Sequence, residues 1–160
     1  MWNSYLLRVK DFIESRQLLL RNRLYIVALS GGSDSVALLC MMRELGYRIV
    51  AAHCNFQLRG EEAYNDERFC ETLCAQFNIP FHRIHFDTQT YSQLHHVSIE
   101  MAARELRYQY FENLREDVAA EGILVGHHQD DSVETILMNL IRGTGIDGLL
   151  GIQAKKGRII

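Results

Sequence analysis

The sequence predicts an α/β fold: a doubly wound parallel sheet of about five strands with helices on both faces. Short apolar runs rich in β-branched and aromatic residues alternate with segments of helical periodicity four times in succession. The 160 residues, 48% hydrophobic and 23% charged, suit one domain with its own core. Only one proline, Pro80, interrupts them, and no Gly/Ser-rich or single-charge run marks a linker.

Residues 3–20 (NSYLLRVKDFIESRQLLL) place Leu6, Val9, Ile13 and Leu20 on one face of an amphipathic helix. They predict an N-terminal helix over 1–22, ahead of a domain spanning 23–160. LYIVALS (24–30) is a strand that ends in a glycine turn and feeds a helix over 35–45. YRIVAAH (47–53) leads through a polar loop to the helix EEAYNDERFCETLCAQF (61–77). FHRIHF (81–86) leads through loop 87–97 (DTQTYSQLHHV) to a helix over 98–120, and GILVGH (122–127) leads to QDDSVETILMNLIR (129–142). Consecutive βα units make a parallel sheet covered on both faces, which binds ligands beyond the carboxyl ends of its strands. Polarity and glycine content make 87–97 and 142–148 (RGTGIDG) the expected mobile pieces.

Lys plus Arg number 17 against 20 for Asp plus Glu, a net charge of −3, which argues against nucleic-acid binding by bulk charge. Any RNA contact is expected to be local or made elsewhere; the stretch 142–160 carries Arg142, Lys155, Lys156 and Arg158 against Asp147. No run is apolar enough for a membrane span, and Arg8, Lys10 and Asp11 fall where a signal peptide would have its apolar core, so a cytoplasmic protein is expected. Cys40, Cys54, Cys70 and Cys74 are few and irregularly spaced, as expected of reduced thiols.

Four clusters carry chemistry. The first strand runs into Ser30-Gly31-Gly32-Ser33-Asp34-Ser35 and a helix. Paired glycines let backbone approach a ligand, the helix start presents N–H groups, and three hydroxyls add donors, which together suit phosphate. This is neither a Walker A loop nor GxGxxG. Asp34 in such a cradle calls for a cation such as Mg²⁺ between carboxylate and phosphate.

The second cluster, around His127, Asp131 and Glu134, follows the fourth strand. Asp131 and Glu134 share one helical face; they suit a metal or a substrate amine, or serve the helix dipole alone. Zinc fits less well, because HExxH and paired cysteines are missing. In the third, His53 and Asn55 stand at the carboxyl end of the second strand, within reach of a nucleotide. Cys70 and Cys74, one helical turn apart, suit core packing better than half a metal site. His82 and His85 lie in the third strand with Arg83 as structural or surface residues. In the fourth, Arg104 and Arg107 lie three apart on a helix, to hold phosphate bidentately or to pair with Glu100 or Glu105.

The six-residue loop resembles the SGGxDS loop of the PP-loop ATP pyrophosphatases, which cleave ATP to AMP and pyrophosphate. The ordered set of that loop, HxN with LR downstream, DxxFC, ARxxRY and GHHxDDxxET, ending in Arg142–Leu149, is similar to one branch, the N-terminal catalytic domain of the tRNA(Ile)-lysidine synthetases. The resemblance runs from about Tyr25 to the last residue. It implies that Ser30, Gly31, Gly32, Ser33, Asp34 and Ser35 hold ATP phosphates and that Asp34 helps to bind Mg²⁺. His53 and Asn55 would border the adenosine, and Arg107 and His127 would line the reacting pocket. Asp131 and Glu134 would take L-lysine, with Asp131 the candidate base. The implied partner is the isoleucine tRNA with a CAU anticodon; a homodimer stays open. Members of this branch continue into tRNA-gripping domains, so a truncated or isolated catalytic domain, binding ATP but modifying tRNA weakly, is expected. The related 2-thiocytidine-type sulfur transferases use closely paired cysteines that are missing from SIEMAARELRYQYF, and a non-catalytic ATP-binding module has no need of so many acids.

Overall fold

A computed structural model describes residues 2–15 and 17–125. Its elements are α1 (Trp2–Ser15), β1 (Leu24–Ala28), α2 (Ser33–Glu44), β2 (Arg48–Asn55), α3 (Glu61–Phe77), β3 (Phe81–His85), α4 (Thr88–His95), α5 (Ile99–Val118) and β4 (Gly122–Val125). Among the described residues the sheet has four parallel strands, not the expected five or so, in the order β3-β2-β1-β4. Ala28 of β1 stands opposite Ala52 of β2 on one side and Val125 of β4 on the other. The chain therefore winds outward from β1 to β3, then crosses back to β4, and the strand order reverses between β1 and β4.

Period-two alternation explains how both faces are covered. Tyr25, Val27, Leu29, Ala51 and Leu124 point into a core shared with Val9 and Ile13 of α1, the apolar side of α2, and Cys70 and Cys74 of α3. Ile26, Val50, Ala52, Ile123 and Val125 point the other way, onto Phe111 and Leu114 of α5. Val9 and Ile13 are buried, and each such burial stabilises by roughly 1.5–3 kcal/mol, so α1 is part of the core. The edge strand β3 is only half covered, which accounts for its polar reading. No helix among the described residues is long and apolar enough to cross a membrane.

Three boundaries differ from expectation. The helix of residues 3–20 stops at Ser15: Gln17 adopts φ 51° and Leu18 N–H donates back to Ile13 O at 3.1 Å, turning Leu19 into the core. Segment 87–97 is no loop but holds α4, because Asp87 accepts the Thr90 N–H at 3.1 Å and His96 closes the other end in the left-handed conformation. Finally, α2 begins at Ser33, so Ser33, Asp34 and Ser35 form its first turn. Loop 142–148 lies outside the described residues.

Candidate nucleotide site

The turn between β1 and α2 is closed by its own hydroxyls. Ser35 Oγ donates to Gly32 O at 3.0 Å, Ser30 Oγ lies 3.1 Å from Ser35 Oγ, and Gly32 N–H donates to Ser30 Oγ at 3.2 Å. A hydroxyl has one hydrogen, so Ser30 Oγ must donate to Ser35 Oγ, and the bonds form a ring. Ser35 Oγ also accepts the Ser30 N–H at 3.0 Å. Two of the three hydroxyls expected to face a ligand are therefore committed to shaping the turn. Gly31 sits at φ 98°, where a side chain would be strained, and its missing Cβ would stand 3.3 Å from Asp66 Cβ on α3. Gly32 is the N-cap of α2 and supplies no side-chain cap, so the ligand-facing character of this helix start rests on backbone N–H groups. Asp34, in that first turn, is buried.

The turn opens on a cavity of ≈ 180 Å³ at the β1/β4 reversal. It is lined by Ser30 and Ser35 of the turn, Cys54 of β2 and Phe56 just after it, Arg107 and Phe111 of α5, and Ala28 and Val125 at the ends of β1 and β4. Among the described residues Arg107 is the one cationic side chain of this lining. Burial pushes the Cys54 thiol up to about 12, outweighing the pull of Arg107, so the cavity holds a neutral thiol beside a guanidinium. Such a chamber attracts an anion. Arg104 does not join Arg107: it lies over the Tyr108 ring at 5.7 Å in an outward-facing hollow with Met101.

A second cavity, of ≈ 280 Å³, adjoins the first and shares Ser30, Cys54 and Phe56 with it; His53, Asn55, Gln57, Arg59 and Asp66 also line it. Here Arg59 is already matched, by Asp66 at 2.7 Å and Glu62 at 3.8 Å. His53 is buried, and its Nδ1 lies 2.8 Å from Leu29 O; a carbonyl only accepts, so Nδ1 carries the hydrogen and braces the end of β1. Asn55, 1% exposed, donates to Glu67 Oε1 at 3.2 Å and accepts the Gln57 N–H at 2.9 Å.

Glu67 is a residue the sequence reading passes over. Its carboxylate also meets His85 Nε2 at 2.5 Å and Arg83 Nη1 at 3.5 Å. Burial alone would raise its pKa, but the hydrogen bonds from Asn55 and His85 and the charges of His85 and Arg83 hold it below the usual carboxylate range. The signal was available: α3's buried stripe runs Ala63, Glu67, Cys70, Cys74, with one carboxylate among small apolar groups. Cys70 and Cys74 pack as expected, with burial raising their thiols to about 12 and about 11.

Of the expected site residues, the structure gathers Ser30 and Ser35 with Arg107 at one cavity and sets His53 and Asn55 at its neighbour. His127, Asp131 and Glu134 lie outside the described residues, as does the basic stretch 142–160. No group of three or more His, Cys, Asp or Glu that could hold a metal occurs among the described residues.

Fold and site together define a doubly wound α/β domain whose glycine turn stands at the switch point of its sheet. Residues 4–160 match the PP-loop domain, and the chain belongs to that family. The chain is 56% identical over 150 residues to the tRNA(Ile)-lysidine synthase of Porphyromonas gingivalis, which covers 93% of the chain and 33% of the relative. The enzyme of the same name from Bacteroides thetaiotaomicron is 55% identical over 153 residues, 96% of the chain and 36% of the relative. That from Chlorobaculum tepidum is 44% identical over 158 residues, 94% and 48%. The chain thus spans a third to a half of the length of these relatives. In fold it resembles the NH3-dependent NAD synthetase of Campylobacter jejuni, with TM-score 0.55 and 19% identity over 78% of this chain and 55% of that one.

Proposed function

We propose that this chain is the ATP-using catalytic part of a tRNA(Ile)-lysidine synthase, which joins lysine to carbon 2 of the wobble cytidine of a CAU-anticodon tRNA(Ile). The observation that carries the reading is the convergence of Ser30, Ser35 and Arg107 on one cavity at the strand-order reversal. That geometry suits a triphosphate lying along the start of α2 with its α-phosphate toward Arg107. Cytidine O2 attacks the α-phosphorus and pyrophosphate leaves; the backbone N–H groups and Arg107 stabilise the charge that develops. The lysine ε-amine, in its neutral form, then attacks carbon 2 and AMP departs, with the amine proton passing to a nearby base, for which Asp131 is the candidate.

Asp34, buried in the first turn of α2, is the residue that would hold Mg²⁺ there, and the ion would supply charge neutralisation at the phosphates. His53 and Asn55 contribute from behind, bracing the strand ends beside the adenosine. A tRNA substrate goes with a cytoplasmic protein. Sulfur transfer is disfavoured because α5 carries no closely paired cysteines and Cys70 and Cys74 are fully buried in the core.

The test is incorporation of labelled lysine into a CAU-anticodon tRNA(Ile) by the full-length protein. Incorporation is expected to need ATP, to release one pyrophosphate per lysine, and to fail in Asp131→Asn. ATP-independent incorporation, or none, overturns the reading.

A further inference from the structure

We propose that Glu67 is a positioning residue for the nucleotide site, fixing the turn that follows β2 through the side chain of Asn55; this rests on the ATP-binding reading of the crevice. Burying a carboxylate is costly unless every lone pair is met, and a small apolar residue would serve packing on α3 as well. Yet Glu67, 6% exposed, is retained among Ala63, Cys70 and Cys74 and is met from two strands. A carboxylate only accepts, so the amide nitrogen of Asn55 must face Glu67 and its oxygen must face the other way. That oxygen takes the N–H of Gln57, which stands at φ 55°, a conformation that costs a non-glycine residue roughly 1 kcal/mol or more. Glu67 thereby dictates which way Asn55 points, and Asn55 holds the strained turn.

The turn matters because it walls both cavities. Phe56 faces the crevice across from Arg107, and Gln57 and Arg59 line the neighbouring cavity with Ser30. Thr88 Oγ1 donates to Phe56 O at 2.8 Å and Gln57 Nε2 donates to Phe86 O at 3.0 Å. These two anchors keep the turn attached when Asn55 is released, so losing Glu67 loosens the wall without unfolding it.

The experiment is ATP affinity by equilibrium dialysis on the full-length protein with Mg²⁺, alongside steady-state kinetics and thermal melting. Glu67→Ala is expected to raise the Kd for ATP about tenfold, or ~1.4 kcal/mol, and to raise KM for ATP with a much smaller change in kcat. Asn55→Asp sets two carboxylates against each other and is expected to weaken ATP similarly. The exchange Asn55→Asp with Glu67→Gln rebuilds an amide–carboxylate pair with its polarity reversed, His85 Nε2 then accepting from the same amide instead of donating, and is expected to recover part of that loss. A folded Glu67→Ala protein that binds ATP like the parent overturns the inference, as does an exchange that recovers nothing relative to Asn55→Asp. Where Glu67→Ala does not fold, the exchange decides. Failure of the parent protein itself to bind ATP overturns the functional reading instead.

Discussion

Helices α2 and α5 start from nearly the same backbone and end up doing different work. The N-cap of α2, Gly32, has φ −75° and ψ 160°; that of α5, Ser98, has φ −66° and ψ 161°. At α5 the Ser98 hydroxyl oxygen accepts the Met101 N–H at 3.1 Å, so the helix is closed by its own sequence. At α2 the serines nearest the start, Ser30 and Ser35, bond to each other and to the turn, and no side chain caps the helix. The helix that builds scaffold is capped; the helix that starts at the cavity has no side chain on its first N–H groups. α5 reaches that cavity from its middle, through Arg107.

The largest expected effect removes the contribution of α5. Arg107→Ala should slow pyrophosphate release by roughly 10²–10³-fold, the usual consequence of losing one group that stabilises developing charge, with the melting temperature unchanged. An unchanged rate would leave the open start of α2 as the sole anion site. A smaller effect of the opposite kind is expected at the capped helix: Ser98→Ala should cost about 1 kcal/mol of stability in denaturant unfolding and leave ATP affinity intact. The smallest and sharpest is Gly32→Ser, which places a cap on α2. A Cβ there would meet Ser30 Oγ at 3.5 Å, an ordinary contact, so the residue is accommodated. Stability should rise by a few tenths of a kcal/mol while ATP binds more weakly, because the new hydroxyl occupies an N–H the phosphate would use. Tighter ATP binding by Gly32→Ser would break the comparison.

The same contrast marks what can be read from residues in a row. Strands β1 and β2 and helix α3 are legible because sheet and helix periods are written in adjacent positions, and α3 spans the expected 61–77. The glycine turn is legible for the same reason, its residues being contiguous. α4 is not: eight residues with little apolar pattern form a helix because Asp87 and His96 close its ends. α1 falls short of its periodicity because a single left-handed Gln17 turns Leu19 into the core and leaves Leu20 exposed. The commitment of Ser30 and Ser35 to a ring, the separation of Arg104 from Arg107, and the role of Glu67 depend on which atoms meet across the fold. Glu67 finds its partners 12 residues earlier and 18 later, a distance no local period reports.

The hydroxyl ring of the β1–α2 turn also bears on how quickly a ligand is caught. A cradle whose shape is set by bonds within itself has little left to order on contact, so capture proceeds without a slow rearrangement and most of the contact energy appears as affinity. In rapid-mixing experiments with nucleotide the expected result is a single phase whose rate climbs in proportion to concentration with no plateau.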